Sequence, residues 1–322
     1  MRLTRQEFVS RGVLVGVLAA VPGSAALIAR LSEGGDHGVE VLHAAQPGRL
    51  PLDGRPQVAG INLPPGRRWA PSGGYNSRPH RNVAWLTDDG VDDAFDLARR
   101  LAEKFPSTGL WPVLWLYAGE TPAYYSDRAV PFGAVDARKA RGVLAEEWLR
   151  RPLKASWRAP LGRDFPGLAD SGRPGKGFDP FGRLEERQRQ DASWDRNALR
   201  PGLMLVPCAR PADTIAAIGL MCGTTYSGIE NPALVSSVLR SWEDRFDAVL
   251  VGLAPGAVAL AVGSPPHDVD DALRLAAEHY SFASREGDGT PGAITTRARE
   301  LLGGNPPQTA NGRHLWEFAW ND

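Results

Sequence analysis

The stretch SSVLRSWEDRFDAVLVGL, residues 236–253, begins with the spacing of a helix and ends with the apolar run of a strand. Val235, Val238, Leu239, Trp242 and Phe246 recur at three- and four-residue steps. That recurrence is one stripe of an amphipathic helix over residues 232–246. AVLVGL (248–253) then reads as a strand, and with the turn APGA and VALAVG (258–263) it makes a hairpin that Pro265-Pro266 ends. Between helix and strand lies SWEDRF. Its Glu243 and Asp244 are a carboxylate pair, but adjacent helix residues point about 100° apart and do not converge on one substrate atom. Arg240 and Asp244 have the spacing of a helix-surface ion pair, which contributes about 0.2–0.5 kcal/mol. The expectation is a solvated outer face, not an active site.

Working outward, LMLV (203–206) reads as a strand and PADTIAAIG (211–219) as a helix with Pro in its first turn, where a missing N–H does no harm. Downstream, Asp268 caps a helix that runs to Phe282, with Val269, Ala272, Leu273, Ala276 and Tyr280 on its apolar side. AITTRARELL (293–302) is a further helix and HLWEFAW (314–320) a closing strand. The principal order is strand, helix, strand, strand, helix, strand. It predicts an α+β fold in which residues 201–322 form a ferredoxin-like split β-α-β sheet with helices on one face.

Upstream, VAGINL, NVAWLT (82–87) and GLWPVLWLYAG (109–119) read as strands, the last with Pro112 near its start. VDDAFDLARRLAEKF (91–105), ended by Pro106, and DARKARGVLAEEWLRR (136–151) read as helices. Together they predict a smaller N-terminal α/β half over 58–151. Residues 152–200 mix Gly, Pro and both charge signs with poor apolar period, which reads as a linker or surface insertion. SGRPGKG within it lacks the Ser or Thr that a phosphate loop places after its Lys.

Residues 1–31 have the marks of a signal or membrane anchor. Arg2, Arg5 and Arg11 precede an uncharged apolar run over 13–29, the pattern of a basic n-region and an apolar h-region. TRQEFV approaches the twin-arginine export motif but has Gln6 where the second Arg belongs. Export or anchoring through 13–29 is preferred here over a cytoplasmic location. Residues 32–57, rich in Gly, Pro and Asp, read as a tether.

The chain has 322 residues, 37 Lys plus Arg against 37 Asp plus Glu, and 43% apolar residues. That charge balance argues against a nucleic-acid partner, which calls for a basic face or stripe. Cys208 and Cys222 are the two cysteines. Without a CxxC they support no zinc site, and they read as two buried thiols, which export would permit to bridge. No metal or cofactor is expected.

Candidate catalytic residues are Glu278 and His279, since His titrates near neutral pH and serves as a base. A hydrogen-bonded structural role is the preferred reading of that pair. His267, Asp268, Asp270 and Asp271 are a looser acidic cluster, and helix capping accounts for Asp268. There is no G-x-S-x-G elbow and no H-E-x-x-H. Trp111, Trp115, Tyr117, Tyr124 and Tyr125 exceed what one strand needs; a large core is the preferred reading, and a groove for a partner lined by the surplus is the alternative. Trp115, Tyr117, Tyr124, Trp242 and Arg245 are the binding candidates.

RPGLMLVPCARPADTIAAIGL, VSSVLRSWEDRFDAVLVGL, DALRLAAEHYSF and the terminal WEFAW resemble successive blocks of the domain of unknown function 4253 family, found mainly in actinobacteria. INLPPGRR and FPSTGLWPVLW resemble the N-terminal half of such proteins, so the likeness covers about residues 58–322. The chain departs from the family at ASREGDG, where Cys-Pro-Asp is expected, and at CGTTYSGIEN, where an Asn-His segment is expected. The resemblance implies no activity. The expectation is a non-catalytic protein that binds a protein partner or a small ligand. The alternative is a hydrolase with Glu278 and His279 in an inter-domain cleft.

Overall fold

The runs LWPVLW and AVLVGLA are buried at every position, and a strand buried on both faces needs cover on both. The computed structural model describes residues 44–70, 81–116, 135–150, 158–172, 178–191, 200–220, 222–224, 227–229, 231–254, 256–283, 292–303 and 312–320. All of them belong to the unit His43–Asp322. Its first strands are β1 (Gln57–Val58), β2 (Ile61–Asn62), β3 (Gly66–Trp69), β4 (Ala84–Thr87) and β5 (Leu110–Trp115). The later ones are β6 (Gly202–Pro207), β7 (Cys222–Thr224), β8 (Ser227–Ile229), β9 (Ala248–Ala254), β10 (Ala257–Val262) and β11 (Leu315–Ala319). The helices are α1 (Ala94–Thr108), α2 (Ala140–Arg150), α3 (Gly182–Asp191), α4 (Thr214–Ile218), α5 (Pro232–Phe246), α6 (Val269–Phe282) and α7 (Ala293–Leu301).

Seven strands form one mixed sheet in the order β11-β10-β9-β5-β6-β4-β3. All pairs are antiparallel except β5 and β9, which run parallel. The fold is α+β. Its interior differs from the ferredoxin-like arrangement expected for residues 201–322. β5, from the N-terminal segment, lies between β6 and β9, and β11 pairs with its neighbour β10. The two halves therefore share one sheet, and no cleft separates them within it.

Helices cover both faces, not one. Trp316 and Phe318 of β11 meet Trp242 of α5 and His279 of α6. Glu317, between them and pointing the other way, meets Arg187 of α3. On that second face Trp111 packs edge-on to Phe105 of α1 and stacked on Phe181, and Arg99 of α1 joins Asp179 and Glu185 of the α3 region. Pro112 lacks the N–H that a ladder uses. β5 pairs with β9 only from Leu114 onward, and the Trp111 indole donates to the Leu250 carbonyl instead.

Two expected connectors are parts of the core. In the 152–200 segment, Ala169, Phe181 and Leu184 are buried, and the backbone N–H groups of Ala169 and Asp170 donate to Glu278 and Asp271 of α6. Few apolar residues suffice because side-chain carboxylates satisfy its backbone. Residues 44–57, expected as the end of a tether, are strapped to the sheet. Ala45 N–H donates to Ala209 O and Gly48 N–H to Gly109 O. α1 continues through Pro106 to Thr108 and ends at Gly109 in the left-handed region. The signal-like segment 1–31 and its apolar run 13–29 lie outside the described residues. Among the described residues no helix is long and apolar enough to cross a membrane.

Candidate functional site

α5 runs over Pro232–Phe246, with the Asn231 side chain accepting from Ala233 N–H as its cap. SWEDRF in its last turns is not the solvated face its spacing suggests. Trp242 is fully buried and Glu243 nearly so. Each charged side chain finds a partner on another element. Arg240 clasps Asp213 with both oxygens engaged. Asp244 accepts from Arg210 at 2.6 Å, and Arg245 reaches Glu278 of α6. The Arg240–Asp244 surface pair does not form, because neighbouring elements cover the sides of α5 as well as its stripe.

The candidate catalytic pair is held by this arrangement. Glu278 Oε1 accepts from Ala169 N–H at 2.8 Å and Arg245 Nη1 at 2.9 Å. Oε2 accepts from Trp242 Nε1 at 2.8 Å and Arg245 Nη2 at 2.6 Å. Its side chain is 0% exposed and that of Arg245 is 14% exposed. Four donors on two oxygens leave neither for a substrate. Arg245 is fixed further by the Ala169 carbonyl and by Ser241. His279 lies among Trp242, Trp316 and Phe318 with ring centroids 4.5–5.0 Å away. Its Nδ1 faces Arg297 Nη2 at 2.8 Å, and Arg297 pairs in turn with Glu300. A guanidinium has only donors, so Nδ1 is the acceptor and carries no proton.

The buried Asp213 and Glu243 form a second cluster with the half-buried Arg210, beside the free, buried thiol of Cys208. Burial pushes the Cys208 thiol well up. Burial pushes the Glu243 carboxyl up to about 7, although the Arg210 charge pulls it down. Burial works against the Arg210 charge as well, but Glu243 and Asp244 hold that guanidinium above its ordinary value. The folded chain thus keeps a proton on Glu243 that the unfolded chain releases from its ordinary value of 4.5 upward. More protons bound in the folded state means that this group's contribution falls as pH rises from 4.5 to about 7, and is constant above. Glu243→Gln keeps the protonated shape at every pH. Its stability relative to the parent is expected to rise by about 1–3 kcal/mol between pH 4 and pH 8, read from urea midpoints. An unchanged difference across that range would contradict the assignment.

The third feature is an open groove of about 480 Å³ between the 47–50 strap, β3, the start of β4 and the end of β6. Pro47 and Pro207 lie in its wall, and Arg49, Arg68, Arg81 and Asn82 supply the polar side. The strap is pressed down by glycines. A Cβ at Gly48 would lie 1.9 Å from Thr108 O, and one at Gly109 would lie 1.7 Å from Gln46 O. Asp53 Oδ1 accepts from Arg68 N–H at 2.8 Å and from Arg68 Nε at 3.1 Å. The backbone N–H of Arg68, with its side chain, holds the Asp53 carboxyl below its ordinary value.

Of the binding candidates, Trp115 is buried in β5, Trp242 and Arg245 sit in the Glu278 assembly, and Tyr117 and Tyr124 lie outside the described residues. Asp271, from the acidic cluster, accepts from Asp170 N–H, and Asp268 caps α6 by accepting from Asp271 N–H. Among the described residues no three His, Cys, Asp or Glu side chains gather as a metal cluster would. Sequence reasoning missed the groove. Its arginines come from three separate segments with no shared period.

These features define a mixed-sheet α+β protein with helices on both faces and a cationic groove at one end of the strap. Residues 202–321 match the family model described as Domain of unknown function (DUF4253), and this segment of the chain is a domain of that family. The match supplies β6 and β9–β11, whereas β5, which joins them, comes from outside it. No curated protein and no solved structure matches the chain.

Proposed function

We propose that the chain is a non-catalytic binding protein and that it takes a small ligand in the groove between the 47–50 strap and β3, β4 and β6. The observation that carries this reading is the groove itself. Its volume of about 480 Å³ falls within the usual span of small-molecule sites, about 300–1,000 Å³. The hydrolase alternative draws no support from Glu278 and His279: both Glu278 oxygens serve Arg245, Trp242 and Ala169, and His279 Nδ1 serves Arg297. A protein partner draws less support than a small ligand. The large apolar side chains exposed among the described residues, Leu52, Leu149 and Val269, stand on three different segments.

The test is a thermal-shift screen of the full chain against a library of charged and neutral metabolites. A subset is expected to raise the melting temperature, because a ligand that binds only the folded state stabilises it. The shift is expected to vanish in the double variant Arg49→Gln, Arg81→Gln. Shifts that survive this change would place the site elsewhere, and a library without a single hit would sink the reading.

A further inference from the structure

The groove gathers Arg49, Arg68 and Arg81 in one concavity. The chain is neutral overall, with 37 basic against 37 acidic residues. Several arginines elsewhere are paired with carboxylates: Arg67 with Asp88, Arg99 with Asp179 and Glu185, Arg210 with Asp244, Arg240 with Asp213. Arg49 and Arg81 have no carboxylate partner among the described residues, and no Asp or Glu lines the groove. Guanidinium groups gathered in a concavity repel one another and raise the local concentration of anions.

Arg68 adds direction to that charge. Asp53 takes its backbone N–H and its Nε, so the side chain is anchored by one edge. The other edge, Nη1 and Nη2, has no acceptor among the described residues. A guanidinium fork fixed in this way presents two parallel donors, the geometry that matches carboxylate and phosphate oxygens. Asn82 adds an amide that can donate to the same ligand. The wall is backbone and proline, pinned at Gly48 and Gly109, so the site need not be ordered at the moment of binding.

We infer that this groove binds a compact multivalent oxyanion, a phosphate- or polycarboxylate-bearing small molecule, with Arg68 as the oriented fork and Arg49 and Arg81 as flanking charges. This rests on the ligand-binding reading above and gives it a ligand class. Asp53 is a positioning residue: it acts on the ligand only through Arg68.

The experiment is calorimetric titration of the full chain with inorganic pyrophosphate and, separately, with citrate. The two probes distinguish a phosphate from a polycarboxylate source, and saturable binding of either supports the site. Arg49→Gln and Arg81→Gln are each expected to weaken binding about tenfold, the scale of one lost charge-assisted hydrogen bond. Arg183→Gln, at an exposed side chain of α3 that pairs with Glu186, makes the same charge change and is expected to leave affinity unaltered. Asp53→Asn separates the mechanisms. A pure field effect tightens binding, because a negative charge is lost, whereas loss of the oriented fork weakens it several-fold. Tighter binding in Asp53→Asn, equal losses in Arg183→Gln, or no saturable binding of either probe would each overturn the inference. If neutral library members still shift the melting temperature through Arg49 and Arg81, the oxyanion class fails and the small-ligand reading stands.

Discussion

Glu278→Ala is expected to destabilise the fold by about 3–5 kcal/mol, the cost of breaking a buried ion pair by removing one partner. The carboxylate has four donors around it and no exposed surface. Its removal strands the Arg245 guanidinium, the Trp242 indole N–H and the Ala169 N–H in a site that water does not reach. The bound carboxylate links α5, α6 and the 158–172 segment to one another, so all three are expected to loosen together. Urea unfolding at pH 7 reads the loss as a fall in midpoint at constant slope. Glu278→Leu combined with Arg245→Met takes away both charges, and is expected to recover a large part of the loss. A Glu278→Ala variant as stable as its parent would remove the assembly from the account.

Gly109→Ala is expected to be nearly as damaging, by about 3 kcal/mol, for two reasons that add. Gly109 has φ 61°, a left-handed conformation that costs a residue with a Cβ about 1–2 kcal/mol. The new methyl would also sit 1.7 Å from the Gln46 carbonyl, so the strap must lift. Gly60→Ala isolates the first cost, since Gly60 has φ 81° with nothing within 4 Å of a Cβ. Its loss is expected to be no more than about 1–2 kcal/mol. Hydrogen exchange at residues 45–50 is expected to quicken in Gly109→Ala and not in Gly60→Ala. Equal losses and equal exchange in the two variants would show that the strap does not bear on Gly109.

Local structure was legible where one helix or hairpin decides it. The stripe from Val235 to Phe246 gave α5 its bounds, Asp268 marked the start of α6, and the 248–263 hairpin pairs as β9 and β10. The strand order was not legible, because β5 slots between β6 and β9 across more than eighty residues of chain on either side. One signal of it is present in the sequence. LWPVLW and AVLVGL are continuous, not alternating, and such strands are covered on both faces. The 158–191 region looked loose because it packs through a handful of side chains and through backbone donors to Glu278 and Asp271. SWEDRF looked solvated because charge off an apolar stripe usually is. Its partners, Arg210, Asp213 and Glu278, lie thirty or so residues away and share no local pattern with it. Arg49, Arg68 and Arg81 likewise converge only through the sheet and its strap.

The central claim is one of place: the chain binds at the arginine groove, while Glu278 and His279 hold the fold. The most direct measurement is a backbone amide NMR titration of the full chain with pyrophosphate. Saturable shifts are expected, confined to the 47–50 strap, Arg68, Arg81 and Asn82, with the amides of Glu278 and His279 unmoved. Shifts centred on α5 and α6 around Glu278 and His279, with the strap silent, would contradict it.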